Sequence, residues 1–300
     1  MYSAPFEYVR ASSWPEAVDL LEGGGEDARV IAGGQSLVPM MMLRLAAPSL
    51  LVDVSAAADR SVDLVDAELV LSALVRHADI EHSEVVRGSC PMLTEAVTHI
   101  GNVRVRHRGT IGGSLAHGEP TAELATVAVA EGATVTVLGP GGERAIPAGD
   151  LFVTHFTTSL EPGEVVTAVR FPVPGGRRGS SFQEIARRAG DFALVEAAAT
   201  VALDEDDRCL SVRLVVGAVS DRPVDVSQAA RPLIGERIGE DAVGEVARAV
   251  AAEIEVGPHT HAGREYRRRL VSVLAGRALL TAADRAAGAV HTDHGNGARA

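Results

Sequence analysis

Two glycine-paired segments, Ala32-Gly33-Gly34-Gln35-Ser36 and Thr110-Ile111-Gly112-Gly113-Ser114, constrain this chain more than any other feature. Each follows a predicted strand or extended run and ends in a small hydroxyl residue ahead of an apolar stretch. Adjacent glycines carry no Cβ and reach positive φ, so their amides can close on an anion without steric obstruction. One such segment is an ordinary turn in any α/β protein. Two of the same grammar, far apart in the chain, predict one ligand whose phosphates are held from both sides. A dinucleotide meets that demand. All 28 basic residues are arginine, which excludes a Schiff-base lysine and the lysine-bearing phosphate loop of nucleotide hydrolases.

At 300 residues the chain is long enough for two domains. A net charge of −12 argues against nucleic acid or an anionic membrane as partner. Cys90 and Cys209 are the only cysteines, too few for an iron–sulfur cluster, a four-cysteine zinc site or a disulfide framework. The opening Met1-Tyr2-Ser3-Ala4-Pro5-Phe6 lacks signal-peptide regions, and no apolar run nears the roughly twenty residues of a membrane span. The reading is a cytoplasmic protein with no metal site of its own.

Periodicity predicts a small βαβαβ lobe over residues 1–56: a strand at 6–9, a helix at 14–21 opened by the capping box Ser13-Trp14-Pro15-Glu16, a strand at 28–31, a helix at 37–45 and a strand at 50–54. A second lobe, 57–175, starts with a strand at 69–75. It continues with helices at 79–86, 92–100 and 121–131, and with strands at 133–138 and 164–171. Pro172-Val173-Pro174-Gly175-Gly176-Arg177-Arg178-Gly179 is the clearest linker. Beyond it, strands at 195–203 and 210–219 and helices at 241–255 and 264–280 make an α+β domain over 180–284. Residues 286–300, rich in Ala, Gly and His, are predicted to be disordered.

With both glycine segments in place, the chain resembles the FAD-binding medium subunit of molybdenum hydroxylases, a family that includes aerobic carbon monoxide dehydrogenases, xanthine dehydrogenase-like enzymes and N-heteroaromatic hydroxylases. Four segments carry the resemblance across residues 2–280. They are Ala32 to Pro39 with the Met41-Met42-Leu43-Arg44-Leu45 stretch, Arg106 to Ser114 running on to Leu124, Val169-Arg170-Phe171-Pro172, and Arg187 to Val195. The implied fold is α+β: a two-lobed FAD-binding domain of the covalent-flavin-oxidase-like type, then a smaller α+β C-terminal domain.

The resemblance implies FAD contacts at Ala32, Gly33, Gly34, Gln35, Ser36, Leu37, Thr110, Ile111, Gly112, Gly113 and Ser114, with Glu123 hydrogen-bonding the cofactor. Val166 falls near an apolar cofactor position, and Phe192 at the position lying against the flavin ring. No residue of this chain is expected to act on the organic substrate. The implied partners are a small subunit with [2Fe–2S] clusters and a large subunit with the molybdopterin cofactor, in an αβγ assembly that is often doubled. Electrons would pass from the clusters through FAD to an external acceptor. The sequence departs from the family pattern at Gln35, where some carbon monoxide dehydrogenases carry histidine, and at His107 and Gly118-Glu119. The competing readings are a free-standing flavin oxidase and a non-catalytic dinucleotide-binding assembly module.

Overall fold

In the computed structural model, which describes residues 2–288, three larger sheets and a two-stranded ribbon, Phe152–Thr154 with Thr157–Thr158, build the described part of the molecule. The first is small and wholly parallel: Glu7–Arg10 and Ala28–Ile31 flank Leu50–Asp53. Its crossover helix, Trp14–Gly24, starts where predicted, with Ser13 Oγ accepting from the Glu16 amide at 3.3 Å. The return half of the capping box slips by one residue, because the Glu16 carboxylate accepts from the Ser12 amide at 2.7 Å. The next helix, Leu37–Met42, is shorter than expected and is followed by Arg44 at φ 59°.

The second sheet is antiparallel, in the order Val62–Val65, Glu68–Ser72, Val165–Pro172, Thr134–Gly139, Gly142–Pro147. The strand expected at 69–75 runs over Glu68–Ser72, and its edge partner Val62–Val65 carries no clear signal, because Leu64 and Val65 are half exposed and the turn uses Asp66 and Ala67, both at positive φ, instead of glycine. The helix expected over 79–86 is two helices, His77–His82 and Glu84–Ser89, broken at the extended Ser83, whose hydroxyl caps the second. Arg-rich 103–108 is also not extended: Val103–Arg106 is a helical turn capped by Asn102.

The helix Glu123–Glu131 is buried along its whole length. Its sequence is almost entirely Ala, Val, Leu and Thr between the two terminal glutamates, so it packs on every side, and Gly132 closes it in the left-handed conformation. The predicted start at Thr121 and Pro120 falls short of it, since Pro120 lies in the preceding turn and its carbonyl accepts from the Ala218 amide.

The third sheet is antiparallel, Arg177–Ala186, Ala193–Leu203, Cys209–Gly217, Val224–Asp225. Along its second strand the faces divide cleanly. Val195, Ala197, Ala199 and Val201 pack beneath the helices Glu240–Glu253 and Arg264–Gly288, whereas Ala198 joins the core around the buried helix. The long helix approaches the first strand closely at Gly179, where a Cβ would meet the Ala286 amide nitrogen at 2.5 Å. Arg267 is not on a solvated helix face. It is 2 % exposed and donates to the carbonyls of Leu194 at 2.9 Å, Gly257 at 3.0 Å and Ala218. Of the expected disordered tail, residues 286–288 belong to the long helix, with Ala286 buried; residues 289–300 lie outside the described residues.

Candidate functional site

The first glycine segment leaves the C-terminal end of a parallel strand, where open α/β sheets bind ligands. Gly34 takes φ 71°, the left-handed turn its residue type permits. Within the segment Gln35 Nε2 donates to the Gly33 carbonyl at 3.1 Å. The Val38 amide donates to Gly34 and the Met40 amide to Ser36. Among the described residues, the amides of Gly33, Gly34, Gln35, Ser36 and Leu37 donate to no protein acceptor. Ser36 does not cap the helix that follows, so its hydroxyl is also available.

The second segment differs from expectation. Thr110 is its one extended residue, and Ile111–His117 is a helix. The amides predicted to face an anion are engaged internally: Gly113 donates to Thr110 Oγ1 at 3.1 Å, Ser114 to the Thr110 carbonyl, Ile111 to Val75 and Gly112 to Ala73. Gly112 is there for packing, because a Cβ would stand 2.9 Å from the Ala73 backbone. Ile111 is fully buried in the core. What remains open at this segment is the exposed Gly113 and the half-buried Ser114.

The two segments nevertheless meet. A Cβ on Gly33 would lie 2.7 Å from the Arg108 carbonyl carbon and 2.9 Å from Gly109 Cα, closer than non-bonded carbons approach. Backbone therefore packs on backbone, and no side chain fits between. On the opposite side Gly109 rests on the imidazole of His77, whose own amide donates to the Gly109 carbonyl at 3.0 Å. Burial pushes the His77 imidazole down to about 4, so it is neutral, and the ring lies against the segment with both its nitrogens buried and unpartnered. No sequence signal marked His77.

The C-terminal part reaches this neighbourhood through a second backbone contact. Gly190, at φ 74°, comes so near Gly101 that a Cβ would stand 2.8 Å from the Gly101 carbonyl carbon. Arg187 holds Asp191 at 2.9 Å, and Asp191 accepts from the Phe192 amide. Phe192 is thereby presented to solvent, 69 % exposed, and is not a core aromatic. Val166 is buried in the central strand of the second sheet, opposite Val137. The helix Ile111–His117 packs against that strand.

Glu123 is not a solvated helix residue. It is 8 % exposed at the first turn of the buried helix, and burial pushes its carboxyl up to about 8. Two further buried carboxyls, Glu184 and Glu196, share this region and escaped the sequence reading. The signal for Glu196 was present, a single charge inside the apolar run Leu194-Val195-Glu196-Ala197-Ala198-Ala199. Among the described residues no His, Cys, Asp or Glu cluster is arranged to hold a metal ion, and no helix is long and apolar enough to cross a membrane.

Two family descriptions match this chain, an FAD binding domain in molybdopterin dehydrogenase over residues 4–174 and a CO dehydrogenase flavoprotein C-terminal domain over residues 180–282. The 6-hydroxypseudooxynicotine dehydrogenase complex subunit alpha of Paenarthrobacter nicotinovorans is 37 % identical over 282 residues, covering 94 % of this chain and 95 % of that one. Quinoline 2-oxidoreductase from Pseudomonas putida 86 has a similar structure, with a TM-score of 0.90 and 34 % identity over 95 % of this chain and 99 % of its own. Carbon monoxide dehydrogenase from Hydrogenophaga pseudoflava gives a TM-score of 0.92 at 31 % identity, over 95 % and 99 %. With agreement running through both halves of the sequence, the chain belongs to the FAD-binding medium subunits of the molybdenum hydroxylases, a family of oxidoreductase subunits.

Proposed function

We propose that this chain holds FAD non-covalently and passes electrons through it. They would enter from the [2Fe–2S] centres of a small partner subunit and leave to an external acceptor. Substrate oxidation would belong to a large subunit carrying the molybdopterin cofactor, with all three chains in the cytoplasm. The observation that carries this reading is the run of five unengaged amides from Gly33 to Leu37, pressed against Arg108 and Gly109. Amide donors suit a diphosphate in a chain without lysine, since they bind anions with no formal positive charge. The Ser36 hydroxyl and the side chain of the half-buried Ser114, beside the exposed Gly113, would complete the grip.

The exposed Phe192 supports the placement of the ring. An aromatic left in water on a tip fastened by Gly190 and Asp191 gains by stacking on a flat conjugated system. Flavin chemistry suits the position because the cofactor accepts electrons singly and releases one or two. The protein's part is to bind the diphosphate, cover one face of the ring and leave an edge accessible.

Purification with and without the partner chains tests the reading. The expected result is a yellow protein whose colour is released by acid precipitation and bleached by dithionite. In the full assembly, substrate should bleach it too. A colourless protein that takes up no FAD even beside its partners would sink the proposal.

A further inference from the structure

Glu184, Glu196 and Glu123 follow one another through the junction between the C-terminal sheet and the buried helix. Glu184 and Glu196 stand directly opposite on adjacent antiparallel strands, so their side chains share a face. It is the face that carries Phe182 and Ala198 into the core around the buried helix. Glu196 has no exposed surface; one carboxyl oxygen accepts from Thr126 Oγ1 at 2.5 Å and the other has no protein partner. Thr126 stands one turn below Glu123 on that helix, which brings both carboxyls to the same helix face. At the outer end Glu184 lines a groove of about 550 Å³ together with Thr94 and His99. Glu184 Oε2 and Thr94 Oγ1 are buried there without partners, and His99 Nδ1 lies 3.8 Å from that oxygen.

The cations at the groove do not answer the carboxyls. Arg285 pairs with Glu95 at 2.5 Å, and Arg87 with Glu84 at 2.5 Å. Burial holds His99 towards its neutral form. Burial also raises all three glutamates, Glu184 to about 7, and Glu119 adds like charge towards Glu123 and Glu196. Burial and mutual like charge oppose ionisation of all three carboxyls together at neutral pH, so the chain of groups holds protons.

We propose that Glu184, Glu196 and Glu123 form a proton path from water in the groove, across the strand pair, to the helix end that the second glycine segment leads into. The inference rests on the FAD reading above. Two electrons delivered to bound FAD require at least one proton. Glu123 gives up its O–H proton to the reduced cofactor, Glu196 returns one to Glu123, Glu184 one to Glu196, and groove water one to Glu184. The net change is one solvent proton taken up per electron pair. The electrons come from the iron–sulfur partner in the assembly or from dithionite in the test, and no carboxyl changes oxidation state.

Infrared spectroscopy of the purified full-length chain, in H₂O and D₂O, decides the matter in two arms. Without FAD, a buried carboxylic-acid band is expected at neutral pH; Glu196→Gln removes part of it, and Glu184→Gln slows its deuterium exchange at least about tenfold. With FAD, reduction by dithionite should perturb that band in the wild type and leave it unperturbed in Glu123→Gln. Thr126→Val, which keeps every carboxyl, should shift the Glu196 part and serves if a glutamine variant does not fold. No carboxylic-acid band, exchange indifferent to Glu184, or a band untouched by reduction while FAD stays bound would each overturn the path. A wild-type chain that binds no FAD even beside its partner chains overturns the proposed function instead, and the cofactor-free arm still decides whether these groups store and pass protons.

Discussion

Gly33→Ala is the substitution that bears most directly on how the cofactor site is assembled. A methyl group there would stand 2.7 Å from the Arg108 carbonyl carbon and 2.9 Å from Gly109 Cα. Ordinary carbon contacts lie near 3.5–4.0 Å, so the two segments must separate by about 1 Å. Gly109 cannot retreat, because the His77 ring lies behind it, with Cε1 only 2.8 Å from where a Gly109 Cβ would be. The first segment therefore moves, carrying the amides of Gly33 to Leu37 out of register with Gly113 and Ser114. Overpacking of this kind costs about 1–3 kcal/mol, and the lost donor geometry is worth roughly tenfold to a hundredfold in FAD affinity. The assay is titration of the cofactor-free chain with FAD, followed by flavin fluorescence, with thermal unfolding measured in parallel. The core is distant from the change, so Tm should fall by only a few degrees while affinity falls steeply. Wild-type affinity in Gly33→Ala would refute the claim that backbone contact between the two segments sets the site.

Phe192→Ala, at an exposed tip, should leave Tm unchanged while weakening FAD binding and shifting the flavin absorption bands; an unaltered flavin spectrum removes the ring from Phe192. Arg267→Ala strands the carbonyls of Leu194, Ala218 and Gly257 in a dry interior and should cost about 3–5 kcal/mol in urea unfolding. Glu123 has its carboxyl raised from 4.5 to about 8, so the folded chain keeps a proton that the unfolded chain loses, and stability falls as pH rises through that window. Glu123→Gln abolishes this contribution, so its stability relative to wild type should grow by roughly 3 kcal/mol between about pH 5 and about pH 7 in cofactor-free protein. Parallel stability profiles for the two proteins would show that Glu123 is ionised in the fold.

Much of this architecture could be read ahead of the structure because its signals are local. The strand Ala28–Ile31 was placed to the residue, and the helix after Ser13 started where its cap required. The first glycine segment kept its predicted form, since a turn at positive φ needs only the residue that adopts it. The second did not, because Gly112 and Gly113 serve tertiary demands. One lets the helix sit on Ala73, and the other closes a cap on Thr110. Glycine looks the same in sequence whether it faces a ligand or a neighbouring strand. The buried glutamates were illegible for a related reason. Whether a carboxylate at a helix start meets water or the far sheet depends on packing that strand and helix periodicity do not encode.

The helix Glu123–Glu131 has no outward side. One flank belongs to the cofactor lobe and the other is roofed by the C-terminal strands, where Glu196 meets Thr126 and Arg178 meets Glu131 among apolar side chains, and the Pro172–Gly179 connection joins the two parts. Cutting the polypeptide at that connection would lay bare a strip of alanine and valine along the very rod whose first turn bears Glu123. A flavin lobe liberated in this way would clump before it could be assayed. The trailing half thus roofs a core that the leading half cannot close by itself.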